Sequence, residues 1–331
     1  MLQLKQHLSS IEIGNTQSFG GLALTPLFTT KSIVTDYLTL DDALHTRACR
    51  ITELGDYGSV PEILFENLGD LPIFLLDGEE LVGAKQNRII NISMLIPGHC
   101  LVEVPVSCVE AGRWSVSSAH FSTGDRTLYA RARAHKAMHL NTALPTFSRP
   151  LADQGKVWDD IEAKCERLSC ISETQAMDAM YNQLATSLDQ YVSAFTNEPS
   201  QIGAIFSTHN HVSGLETFDS SDTWSKMSAK LIRSYALDAV DATLETSSLA
   251  LDHTPASFLS HCISAEVHSY LAIAEGEDLR LSGTQLAGGA LLAYDRIIHL
   301  CAFNLNHSTA EVANEPNNVQ RPSMRQHKYE D

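Results

Sequence analysis

The feature that most limits what this chain can become is a succession of short apolar segments between Glu62 and Cys108, each closed by a turn signal. Glu62 to Asn67 leads through Gly69-Asp70 into Ile73 to Leu76, where Asp77-Gly78 reads as a two-residue hairpin turn. Glu80 to Leu95 and Cys100 to Cys108 continue the pattern, with Pro97-Gly98 between them. Strands joined by turns this tight pair antiparallel, so residues 28–115 are expected to form a mostly antiparallel β-sandwich or barrel.

The flanking sequence adds helices. Thr39 precedes Leu40-Asp41-Asp42-Ala43-Leu44, an N-cap followed by two carboxylates in the first turn of a short helix. Residues 125–196 lose their β-branched runs, and Trp158, Ile161, Cys165, Leu168, Ile171, Met177, Met180, Tyr181 and Leu184 recur near helical spacing. Pro145, Pro150 and Gly155 break this stretch near 141–156. Residues 202–218 return to strand around a reversal at His209-Asn210-His211, Ser220 to Val240 reads as a helix, and a last hairpin joins Gly288 to Tyr294 with Ile297 to Phe303. The expected class is α+β: a β-rich part over 1–124, a helical middle over 125–200, an α+β part over 201–308 packed on the first, and a disordered tail over 309–331.

With 23 basic and 40 acidic residues the net charge is −17, which works against a surface that tracks nucleic-acid phosphates. Arg126 to Lys136 is the basic exception, suited to a small anion or one nucleotide, though a solvated helix face carries more weight there. Seven cysteines, odd in number and scattered, fit a reducing compartment rather than a disulfide framework. The first twenty residues lack a signal-peptide core and no apolar run approaches membrane-spanning length, so a cytoplasmic protein free of the bilayer is expected.

The candidate site lies within the strands. Polar side chains there cost roughly 1–3 kcal/mol each if buried without a partner, so they bond one another or face a ligand. A turn at Asp77-Gly78 would put Glu80, Gln86 and Arg88 on one face and Glu79, Lys85 and Asn87 on the other, with Cys108 and Glu110 ending the next apolar face. The functional alternative makes Glu80 and Glu110 acid, base or metal ligand, with Arg88 and Arg113 holding an anionic group. Its rival is a structural network in which those arginines neutralise the glutamates. Cys108 is a candidate nucleophile against the more ordinary buried strand cysteine, and Trp114 either stacks a ring or closes a sandwich edge. His209 and His211 resemble a metal pair, but a hairpin turn is favoured, and His299 in an apolar strand reads as a satisfied core histidine. No dinucleotide fingerprint, Walker-type loop or Gly-x-Ser-x-Gly elbow occurs, so no cofactor or metal is assigned.

Leu76 to Arg88, with Pro105 to Glu110 and Gly112-Arg113-Trp114, resembles a bacterial family, the ARG and rhodanese-phosphatase superfamily associated protein domain. The resemblance continues through Gly214 to Phe218, Leu231 to Ala239 and Gly288 to Phe303. It implies a companion of ADP-ribosylglycohydrolases and rhodanese-phosphatase relatives, in systems of NAD or ADP-ribose chemistry and biological conflict. It supplies no catalytic residues. Two functions are therefore carried forward. One is binding or hydrolysis of an ADP-ribose-like or other nucleotide-derived ligand, with Glu80, Glu110 and Cys108 as catalytic candidates and Glu79, Lys85, Gln86, Asn87, Arg88, Arg113 and Trp114 as binding candidates. The other is a noncatalytic scaffold that meets a protein partner or a second copy of itself.

Overall fold

Apolar residues run almost without a break along the two strands of the last hairpin, so both faces of their sheet must be covered. The computed structural model describes residues 2–31, 33–55, 58–147, 150–242 and 254–305; the expected tail over 309–331 lies outside them. Among the described residues there are eight helices and eighteen strands, an α+β fold of mostly antiparallel sheets.

The chain opens with α1 (Leu2–Ser9), β1 (Glu12–Ile13), β2 (Gln17–Phe19), β3 (Leu22–Phe28), β4 (Leu38–Thr39) and α2 (Leu40–His45). Strands follow: β5 (Cys49–Glu53), β6 (Glu62–Asn67), β7 (Ile73–Leu75), β8 (Glu79–Gly83), β9 (Arg88–Ile90), β10 (Met94–Ile96), β11 (Leu101–Cys108) and β12 (Phe121–Thr127). The helical middle holds α3 (Ala130–Phe147), α4 (Gln154–Arg167), α5 (Asp178–Gln183) and α6 (Ala185–Ala194). The hairpin of β13 (Gln201–Thr208) and β14 (His211–Phe218), then α7 (Ser221–Ala242), α8 (Pro255–Ser264), β15 (Glu266–Leu271), β16 (Glu277–Gly283), β17 (Leu286–Ala293) and β18 (Arg296–Asn304), complete it.

A nine-stranded sheet in the order β1-β3-β13-β14-β18-β17-β16-β15, with β2 also on β3, joins strands from both ends of the chain. Its two faces feed separate apolar clusters. Leu4, Leu8, Phe258 and Leu259 from α1 and α8 cover one, while Ala137, Trp224, Leu231 and Tyr235 from α3 and α7 lie on the side of the helical middle. A three-stranded sheet, β10-β7-β4, and a six-stranded one, β12-β8-β9-β11-β6-β5, carry the 38–127 region. The Thr39 cap forms as expected, its hydroxyl accepting from the Asp42 amide.

The layers are joined by charge as well as by apolar packing. From α3, Arg133 places Nε 3.1 Å from Asp77 Oδ1 and Nη1 2.6 Å from Glu216 Oε1 on β14. One turn on, Lys136 Nζ reaches Asp77 Oδ2 at 3.0 Å. Tyr235 donates to the same Glu216 carboxylate from α7. All five groups are buried. Burial alone would raise the Asp77 carboxyl, but Lys136 and Arg133 hold it below its ordinary range. The expected basic stretch over 126–136 is thus no solvated face: two of its cations turn inward because carboxylates from two other layers meet them there.

Replacing Arg133 by Met would strand Asp77 and Glu216 in the interior. The expected loss is about 3–5 kcal/mol in urea unfolding, and a loss below about 1 kcal/mol would show that the layers do not depend on this ion network.

Candidate functional site

Asp77-Gly78 is a turn but not the expected hairpin turn. It carries the chain from β7 in the small sheet to β8 in the six-stranded one, closed by the Glu79 amide on the Leu76 carbonyl at 3.1 Å. Gly78 sits at φ +79°, and a Cβ there would lie 2.9 Å from Arg133 Cδ, so both backbone and neighbour demand glycine. The interior arginine has claimed Asp77, and the hairpin falls one strand later: β8 pairs with β9, Glu80 opposite Ile89 and Leu81 opposite Arg88, around residues 84–87.

Most polar side chains of the motif are paired within the protein. Glu79 turns toward α7, where its carboxylate lies 2.5 Å from Lys230 Nζ, and Lys230 also reaches Asp41 at 2.6 Å. Arg88 is fully buried; Nη1 donates to Gln86 Oε1 at 2.9 Å and contacts the Cys108 sulfur, and Nη2 lies 3.6 Å from Glu53. Burial pushes the Cys108 thiol up to about 11 despite that guanidinium. Gln86 donates to the Glu110 carbonyl at 2.8 Å. Arg113 is spread over Glu110 Oε2, Asn87 Oδ1 and the Ala84 and Ser115 carbonyls. These contacts fix the loop in place.

Glu80 differs from all of them. Its side chain is fully buried, and neither carboxyl oxygen has a hydrogen-bond partner. Arg126 Nε from β12 stands 3.4 Å from Oε2. Burial raises the Glu80 carboxyl to about 8, Arg126 opposing and the charges of Asp178 and Glu110 reinforcing the rise. Glu110 goes the other way. Burial would raise it, yet Arg113, Thr174 and the Asn87 amide hold it below its usual range. Their surroundings thus push these neighbouring carboxyls in opposite directions.

A strap leading into α5 closes this place. The Gly112 amide donates to the Thr174 carbonyl at 2.7 Å, and the Met177 amide donates to Val109 at 2.8 Å. Arg126 Nη1 ties β12 to the same region through the Asp178 carbonyl and Asn182 Oδ1. On the outside of the motif lies a groove of about 520 Å³, counting its open side, lined by Thr52, Glu53, Gly55, Ala84, Lys85, Val116, Ser118 and Ala119. Trp114 is 47% exposed, with Lys85 Nζ 5.6 Å and Arg88 Cζ 5.3 Å from its ring centre.

The structure thus brings Glu80, Asn87, Glu110 and Arg113 together, sets Lys85 and Trp114 on the outer side, and sends Glu79 to another layer. Sequence reasoning missed Arg126, Asp178 and Thr174. Arg126 stood in the basic stretch, while the other two came from a segment read only for helical spacing. His209 and Asn210 both have positive φ in the β13–β14 hairpin turn, and His209 Nε2 lies 2.9 Å from the Ala239 carbonyl, so this segment is a turn. Among the described residues no group of three or more His, Cys, Asp or Glu side chains is arranged to hold a metal.

A family model described as the ARG and Rhodanese-Phosphatase-superfamily-associated Protein domain matches residues 10–303. No curated protein and no solved structure matches the chain.

Because folding raises the Glu80 pKa, ionisation of this carboxyl adds no cost below its unfolded value. The cost grows as pH rises and is complete above about 8. Glu80→Gln should therefore gain on the wild type by roughly 2–4 kcal/mol between pH 5 and pH 8.5 in urea unfolding. A stability difference independent of pH would contradict the assignment.

Proposed function

The chain belongs to the ARG and Rhodanese-Phosphatase-superfamily-associated Protein domain family, and from that premise we propose that it binds a nucleotide-derived small ligand of the ADP-ribose kind at the strand motif and hydrolyses it there. The observation that carries this reading is the pair of neighbouring carboxyls, Glu80 and Glu110, pushed apart in proton affinity by their surroundings. Glu80, protonated at neutral pH, gives its proton to the leaving group. Glu110, ionised, takes one from water.

The ligand's own polar atoms would satisfy the two unpaired oxygens of Glu80, which otherwise cost the fold stability. Arg88 and Arg113 are bonded within their own loop, while Arg126 beside Glu80 and Lys85 at the outer groove would turn cations toward the ligand's anionic group, with Trp114 offering a ring to stack on. Access to Glu80 requires the 172–178 strap to move. The family's association with ARG proteins, carried in its name, supports an ADP-ribose-related ligand, and the charge of −17 leaves nucleic acid the weaker partner.

A second reading rests on a different observation. Val60, Trp114 and Val116 are exposed along the closed motif, at 42%, 47% and 68%. A noncatalytic scaffold that meets a partner protein or a second copy would cover such a face. Light scattering across a concentration series, compared with Val116→Asp, separates this reading from the first.

Thermal unfolding with ADP-ribose, NAD and common nucleotides provides the test of ligand binding. One of these compounds should raise the wild-type Tm, and Glu80→Gln, itself no less stable, should lose most of that rise. A ligand that stabilises both proteins equally would remove Glu80 from the site.

A further inference from the structure

Helix α1 has two unlike sides. Leu4 and Leu8 are buried against α8 and β18, whereas Gln3, Gln6, His7 and Ser10, spaced three and four apart, share another side. Those four polar residues form one wall of a cavity of about 80 Å³, or about 520 Å³ counting its open side.

The floor is the large sheet itself. Ile202 of β13 and Ile297 of β18 lie there on either side of β14, whose Thr217 hydroxyl is 3.0 Å from His7 Nε2. Thr29, Lys31 and Ile33, just after β3, make a second wall, and Asp295 and Arg296, where β17 turns into β18, make a third. Gln6, Lys31 and Asp295 are exposed at the rim while Ile202 and Ile297 are buried beneath, so the cavity opens directly to solvent.

The charges around this space come in opposite pairs. Arg296 Nε donates to Asp219 Oδ2 at 2.9 Å, and Tyr37 donates to the other oxygen of that carboxylate at 2.5 Å, so the inner pair is satisfied within the protein. Lys31 and Asp295 differ: among the described residues neither side chain has a hydrogen bond or an ion pair, and the same holds for the amides of Gln3 and Gln6. Burial, reinforced by the Lys31 charge, lowers the His7 imidazole to about 4, so the ring is neutral at physiological pH and adds no charge. The cavity therefore has little net charge to offer a lone anion or a lone cation. It does offer opposite charges to the two ends of one molecule.

We propose that this cavity binds a free α-amino acid with a small aliphatic side chain. The amino acid's carboxylate meets Lys31 and its ammonium meets Asp295. Gln3 and Gln6 supply further donors and acceptors, and the side chain rests on Ile33, Ile202 and Ile297. The enclosed part suits side chains from that of alanine to that of valine. The site shares no residue with the Glu80 motif and does not rest on the reading given for it.

Isothermal titration of the full chain with L-alanine and L-valine tests the proposal, with acetate and ethylamine as carriers of a single charge. The His7 imidazole resonances, followed by NMR during the same titrations, report where binding occurs. The expected result is one amino acid bound per chain with a shift at His7, and acetate and ethylamine about 10-fold or more weaker. Lys31→Ala and Asp295→Ala, both at exposed positions, should each weaken binding by about 10-fold. No binding of either amino acid at millimolar concentration, no shift at His7, acetate bound as tightly as valine, or an undiminished affinity in either variant would overturn the proposal. None of these results bears on Glu80.

Discussion

The salt bridges of Arg133 tie this molecule together. A guanidinium fully removed from water is tolerable only with its carboxylates in place, and here they come from a turn at the edge of one sheet and a strand in the middle of another. Once Asp77 and Glu216 are bound to the same side chain, the turn at Gly78 cannot also serve as a hairpin. The β8–β9 hairpin, with Glu80 at its start, falls where the remaining chain allows. Two further features descend from that one placement: Glu80 follows Asp77 by three residues, and His299 reaches Glu216.

Much of the fold could be read from residues because the signals were local. The Thr39 cap, the His209-Asn210 reversal, the helix over α7 and the final hairpin each depend on neighbours in sequence. The pairing of β3 with β13 could not be read, since nothing local relates residues 22–28 to residues 201–208. The Asp77-Gly78 dipeptide shows how a sound local signal misleads. Its turn chemistry is satisfied, but a cation from a helix more than fifty residues away decides which strands it joins.

Within the motif, period-two alternation marked the right residues as polar and in need of partners. It could not say which would find partners inside the protein. Arg88 and Arg113 are absorbed by carbonyls and carboxylates of their own loop, whereas Glu80 is left with the Arg126 guanidinium at 3.4 Å, which also answers Asp178 and Asn182. Arg133 and Lys136 were visible as basic residues three apart on a helix. Their direction was not, because carboxylates that draw them inward lie in other layers.

The account turns on the protonation state of one carboxyl. Burial pushes the Glu80 carboxyl up to about 8 against the pull of Arg126, where three donors hold the carboxyl of its neighbour Glu110 below its usual range. Infrared difference spectroscopy of the folded protein against Glu80→Gln reads this state directly. A carboxylic-acid carbonyl band present at pH 7, absent from the variant and titrating near 8 is the predicted result. A Glu80 carboxylate already ionised at pH 7 would contradict the account.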